Sequence, residues 1–245
     1  MEKDGETPVL IYTYGGFGVS TKPNYNSSFA LWLEHGGILA VPLVRGGGEL
    51  GKGWHDAGNL LNKQNGIDDF IYAAEHLISS GYTSNHKIGT IGGSNGGLVI
   101  ATAFTQRPDL FSVAIIEAGV LDMLRYELFT VGNQYIREYG SAKKKVEFEN
   151  LYSYSPLHNL VKGKDYPTVL LTAALFDDRV PPHHSYKFLA QLQLCELPNE
   201  NKPSLIYIEE RGGHSGEATP DAYYTKKAFT MGFLFKNLGI KFRKN

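Results

Sequence analysis

The chain of 245 residues sets 24 lysines and arginines against 25 aspartates and glutamates, for a formal charge of −1, with no block of five like charges. A near-neutral chain lacks the electrostatic footprint of a nucleic-acid or anionic-membrane binder. Its one cysteine, Cys195, excludes an internal disulfide framework, and no eighteen apolar residues run together to span a bilayer.

Residues 1–245 fit one α/β domain with a large buried core. The stretch Met1 to Leu10 has no apolar run of signal-peptide length, so the chain reads as soluble and cytoplasmic, with the periplasm left open if it is a fragment. In chain order, the pattern predicts a strand from Val9 to Tyr14, a helix from Ser27 to His35 and a strand from Ile38 to Leu43. A helix from Ile67 to Ser79, a strand from Lys87 to Ile91 and a helix from Leu98 to Gln106 follow, the last ended by Pro108. Then come a strand from Val113 to Glu117, a solvated helix face from Lys143 to Glu149, a strand from Thr168 to Thr172 and a helix from His184 to Leu192. A polar loop from Glu196 to Ser204 leads into a strand over Ser204 to Ile208 and a closing helix over Ala222 to Leu238. The strands are nearly continuous apolar runs, which suits burial on both faces. The expected fold is therefore α/β: a mostly parallel central sheet with helices on both faces and right-handed crossovers.

The segment "KIGTIGGSNGGLVIATAF", Lys87 to Phe104, joins a strand to a helix through a turn crowded with glycine. A tight turn of this kind strains its central residue, and glycine relieves the crowding around it. Gly92, Ser94 and Gly96 form G-x-S-x-G, the nucleophile elbow of the α/β-hydrolases, which presents the serine at the carboxyl end of the sheet. A serine hydroxyl needs a base, and the base needs a carboxylate to orient it. The order serine, acid, histidine finds Asp177 or Asp178 after the strand "VLLTAAL" and His214 after the last strand, beside Gly212, Gly213 and Gly216. An oxyanion hole would take the backbone N–H of Asn95 and a donor from "YTYGGFG" after the first strand, where Tyr14 offers a hydroxyl.

Two other patterns lead to no cofactor and no metal. Gly46, Gly48 and Gly51 have the G-x-G-x-x-G spacing, but "KGWHDAGNLLNKQNG" lacks the apolar stripe of a helix that could receive a pyrophosphate. His183 and His184 are adjacent rather than at the spacing of a helical zinc pair, and neither H-E-x-x-H nor C-x-x-C occurs. Cys195, among Leu192, Leu194 and Leu197, reads as a core or near-surface residue.

The ordered blocks "YGGFG", "RGGGELGKGWHDAG", "NKQNGIDDF", "GGSNGGL", "TQRPDLF", "YSPLHN", "LLTAALFDDRV" and "GGHSG", from about Pro8 onward, resemble the catalytic domain of the prolyl oligopeptidase family of serine peptidases. The resemblance implies Ser94 as nucleophile, Asp177 as triad acid, His214 as base and Tyr14 as an oxyanion donor. It also implies that Arg179 contacts a substrate carbonyl, and that Phe17, Tyr135, Tyr139 and Val180 form an aromatic and apolar pocket for a proline ring. Tyr135 stands where the family usually has tryptophan, so a weaker or shifted proline preference is expected. The β-propeller and the N-terminal hairpin of the family have no counterpart in this sequence. The expected function is cleavage of short peptides after proline through an acyl-enzyme. Alternatives are a carboxylesterase acting on small acyl esters and a non-catalytic fragment or interaction module. A propeller domain or a second copy would then cover the open sheet edge.

Overall fold

The computed structural model describes residues 3–197, 199, 202–214, 216 and 218–242. Its centre is a sheet of six strands in the order β2-β1-β3-β4-β5-β6. The strands are β1 (Val9–Tyr12), β2 (Ile38–Ala40), β3 (Ile88–Gly93), β4 (Val113–Glu117), β5 (Thr168–Ala174) and β6 (Ser204–Glu209), and every pairing is parallel. Between and after them run α1 (Ser27–Glu34), α2 (Lys52–Asp56), α3 (Lys63–Ser79), α4 (Asn95–Gln106), α5 (Ile136–Tyr139), α6 (Lys145–Tyr154), α7 (His183–Cys195) and α8 (Pro220–Leu238).

Successive strand residues feed opposite cores, as the pleat requires. Val9, Ile11, Ala114, Ile116, Val169 and Leu171 pack with Phe70, Leu98, Phe104 and Phe188 from α3, α4 and α7. Leu10, Val113, Ile115 and Leu170 face the other way, onto Trp32 of α1 and Met231, Leu234 and Phe235 of α8. The expected two-faced α/β sheet is thus present.

The boundaries shift for local reasons. The first strand stops at Tyr12, which frees Thr13 and Tyr14 for the following loop. The second stops at Ala40, before Pro42, which has no N–H to give to a ladder. Helix α8 starts at Pro220, capped by the Thr219 hydroxyl, which accepts from the Ala222 N–H at 3.2 Å. The short helices α2 and α5 carry no apolar period and were not legible as elements. The polar loop expected over Glu196 to Ser204 lies partly outside the described residues.

The strand order places the chemistry. From β1 the chain crosses to β2 on one side, and from β3 it crosses to β4 on the other. Between β1 and β3 the connections therefore diverge, and the crevice at such a switch point is where ligands bind in open α/β sheets.

Candidate active site

Ser94 sits on that crevice, between the end of β3 and the start of α4. Its backbone is at φ 53° and ψ −118°, a region that costs a non-glycine residue about 1–3 kcal/mol. The surroundings hold it there. The Ser94 N–H donates to Glu117 O at 2.8 Å, and its carbonyl accepts from the Leu98 N–H at 3.2 Å. Gly96 has no room for a side chain, since a Cβ would stand 2.3 Å from Thr13 O. The glycine turn lets α4 pack directly against the backbone after β1.

Asp177 follows β5 and is 4 % exposed. Its Oδ1 accepts from the N–H groups of Arg179 at 2.9 Å and Val180 at 2.8 Å, and its Oδ2 accepts from His214 Nδ1 at 2.8 Å. Asp178 is exposed. Of the two neighbouring carboxylates, the fold turns Asp177 to the imidazole. When its Nδ1–H donates to the carboxylate, His214 presents Nε2 as an acceptor. Ser94, Asp177, His214 and Tyr14 line one cavity of about 300 Å³, together with Glu117, Glu209 and Lys226.

Tyr14 leaves β1 on the far side of the crevice. Burial pushes its hydroxyl up to about 12, with the negative charge of Glu138 adding to the shift and a hydrogen bond with the Ser94 side chain opposing it. The phenol therefore stays protonated and able to donate at any ordinary pH. Asn95 is fully buried. Its Nδ2 donates to Tyr14 O at 2.5 Å, and its Oδ1 accepts from the Tyr139 hydroxyl at 3.0 Å. Gly16 makes this fit possible, since a Cβ there would stand 2.4 Å from Asn95 Nδ2. The Asn95 N–H belongs to the first turn of α4, where no intrahelical acceptor exists, and an anion at that helix end would meet it and the positive end of the dipole.

Beside this centre, Phe17 meets Tyr135 and Tyr139 edge-on, at centroid distances of 5.6 and 5.5 Å. Tyr135 is half-buried and Arg179 is exposed. Burial raises the Tyr135 hydroxyl, and the positive charge of Arg179 draws it back down. Two expected pocket residues lie deeper than expected. Tyr139 and Val180 are 1 % and 2 % exposed, so Tyr139 supports Phe17 and Asn95 from below, and Val180 contributes its N–H to Asp177.

The glycines at Gly46 and Gly48 brace the loop after β1: the Gly18 N–H donates to Gly46 O at 3.1 Å and the Gly48 N–H to Val19 O at 3.2 Å. His184, set aside in the sequence as a metal ligand, accepts at Nδ1 from the N–H groups of Leu121 at 3.2 Å and Asp122 at 3.1 Å. Burial lowers it to about 4, so it is neutral. No sequence signal marked that role, which depends on a contact across 62 residues. Among the described residues, no group of three or more histidine, cysteine, aspartate or glutamate side chains is placed to hold a metal ion, and no helix is long and apolar enough to cross a membrane.

A family model described as the prolyl oligopeptidase family matches residues 23–241. The chain belongs to the prolyl oligopeptidase family. Among relatives, it is 44 % identical over 242 residues to the prolyl endopeptidase of Elizabethkingia meningoseptica, covering 98 % of this chain and 34 % of that protein. It is 39 % identical to the prolyl endopeptidase of Dictyostelium discoideum, covering 97 % of this chain and 31 % of that one. Among solved structures, prolyl oligopeptidase B from Galerina marginata superimposes with a TM-score of 0.93 at 36 % identity, over 99 % of this chain and 34 % of that one. Oligopeptidase B from Leishmania major gives the same TM-score at 27 % identity. The chain spans about a third of the length of the curated relatives it matches.

Proposed function

We propose that this chain is the catalytic domain of a serine peptidase that hydrolyses short peptides on the carboxyl side of proline. The observation that carries the reading is the convergence of Ser94, on its strained turn, with the His214–Asp177 pair in one cavity, in a chain 44 % identical to a prolyl endopeptidase.

In this reading the Ser94 hydroxyl attacks the scissile carbonyl, and His214 Nε2 takes its proton. Asp177 keeps the other imidazole nitrogen protonated and stabilises the cation that forms. The carbonyl oxygen gains negative charge and meets the Tyr14 hydroxyl and the Asn95 N–H. His214 then returns the proton to the departing amine, and water repeats the sequence on the acyl-enzyme. Phe17 and Tyr135 supply apolar faces for the proline ring, and Arg179 reaches the substrate backbone from the rim. The same reading has a further domain of the propeller kind, or a second copy, covering the site and the β2 edge.

Covalent labelling by a fluorophosphonate, and turnover of a proline-containing peptide amide beside a short nitrophenyl ester, test the proposal. The expected result is labelling that disappears in Ser94→Ala, with turnover of the proline amide. Labelling with ester turnover alone would point to an esterase, and an unlabelled intact protein would exclude a serine nucleophile.

A further inference from the structure

Beneath the oxyanion loop lies a cluster of charge that the reaction does not use. Lys63 Nζ stands 2.9 Å from Glu138 Oε1, and the two side chains are 1 % and 3 % exposed. The second carboxylate oxygen, Oε2, accepts from His55 Nε2 at 2.8 Å. The desolvation of two charges makes a buried ion pair a weak source of stability, and well-packed apolar side chains would often do as well. Stability alone therefore does not account for this cluster.

Its connections are more specific. Lys63 opens α3, His55 lies in α2, and Glu138 lies in α5 immediately before Tyr139. Lys63 Nζ also donates to Gly15 O at 3.4 Å and lies 5.2 Å from the centre of the Tyr139 ring. From Tyr139 a second route runs through the Asn95 side chain to Tyr14 O. Two chains of contacts thus leave the cluster and end on adjacent residues of one loop, Tyr14 and Gly15. The next residues are held as well. Phe17, at φ 57°, packs on Tyr135 and Tyr139, and the Gly18 N–H donates to Gly46 O at 3.1 Å.

We infer that Lys63, Glu138 and His55 are positioning residues, which fix the segment from Tyr14 to Gly18 relative to Ser94 and so place both the Tyr14 hydroxyl and the Phe17 ring. The cluster touches no reacting atom. It acts through the loop, and a loop displaced by about 1 Å is enough to cost on the order of a hundredfold in rate. The inference rests on the peptidase reading only for its kinetic consequence.

The test uses Glu138→Gln, Lys63→Met, the two combined, and His55→Ala, a part-exposed site where truncation leaves the core intact. Amide hydrogen exchange is followed for residues 14–18 and, as a reference, for 9–12 of β1, alongside the rate of fluorophosphonate labelling of Ser94. In every variant, exchange should quicken in 14–18 and stay unchanged in 9–12. Labelling should slow about tenfold to a hundredfold. The double variant separates positioning from mere stability, because removing both charges should restore the melting temperature lost in each single variant while leaving the loop loose and the labelling slow. Recovery of labelling together with melting temperature would overturn the inference, as would unchanged exchange in 14–18 for Glu138→Gln and His55→Ala. A wild-type protein that takes no label would sink the peptidase reading, and the exchange measurement would still decide this one.

Discussion

Ser94 and His214 stand on different ground. The serine rises from β3 in the middle of the sheet, flanked by β1 and β4, and the residues after it, Asn95 to Phe104, are all buried. The histidine follows β6, an edge strand, in a loop where Glu210, Arg211 and Gly216 are exposed. That loop is closed by a small bridge in which the N–H groups of Gly213 and Gly216 donate to each other's carbonyls at 3.1 and 3.3 Å. A strained backbone persists only where packing over-determines it, so the centre of the sheet carries strained Ser94 and the proposed oxyanion donors. Loops with few buried contacts are the less stable parts of a fold. Among the described residues, the His214 imidazole, the proposed base, takes its orientation from Asp177, itself pinned by two N–H groups.

The largest expected effect tests that dependence. Asp177→Asn keeps the shape but removes the charge and the preference for the Nδ1–H tautomer, so on the proposed peptidase reading kcat should fall about ten-thousandfold. Asp178→Asn, at an exposed side chain, should change it by less than about threefold. Steady-state turnover of both variants side by side measures the difference, and a larger loss at Asp178 would reverse the assignment.

On the rigid side, Gly96→Ala would bring a Cβ to 2.3 Å from Thr13 O and 3.2 Å from Tyr14 Cα, both backbone atoms. Overpacking of this kind costs about 1–3 kcal/mol, and here the upper end is expected because neither atom can rotate away. Urea unfolding gives the stability. Labelling of the folded fraction gives the second readout, and it should slow as well, because the displaced atoms belong to the oxyanion loop. A variant as stable and as reactive as the parent would show that the elbow is not over-determined.

The sequence carried the central half of this picture and little of the peripheral half. Ser94 was legible because a strand, a glycine turn and a helix lie within eighteen consecutive residues, from Lys87 to Phe104, and local signals survive in local patterns. His214 and Asp177 were legible by their order after the last two strands, although spacing alone left Asp177 and Asp178 open. Burial, a tertiary property, separates those two. The burial of Tyr139 was not legible, since one aromatic residue on a four-residue helix gives no periodicity to show its face. Lys63 and Glu138 gave no sign of pairing across 75 residues.

A buried group on the rigid side also gives a pH signature. The folded-state value of His184 is lowered from 6.5 to about 4 by burial. The unfolded chain then takes up a proton that the folded chain refuses as pH falls below 6.5. The neutral histidine contributes nothing against unfolding above that range, and stability drains away between about pH 6.5 and 4. The loss amounts to about 3 kcal/mol over that window. Urea unfolding at a series of pH values should show that slope in the parent and a flatter one in His184→Gln. Equal slopes in the two proteins would remove His184 as the cause.

The smallest effect is expected at Gly213, next to the base. A Cβ there would stand 3.3 Å from Phe176 O, a distance that a shift of a few tenths of an ångström relieves, and the loop has solvent on its other side. Gly213→Ala should therefore cost less than about 1 kcal/mol in urea unfolding, while Gly96→Ala costs several times that. Its effect on labelling should also be small, because the imidazole remains tethered by the 2.8 Å bond to Asp177 even if the loop moves slightly. Equal destabilisation by the two alanines would erase the contrast between a packed serine and a tethered imidazole. A severe loss of labelling in Gly213→Ala with stability intact would leave the packing contrast standing and show that the loop backbone, as well as the carboxylate, aims the imidazole.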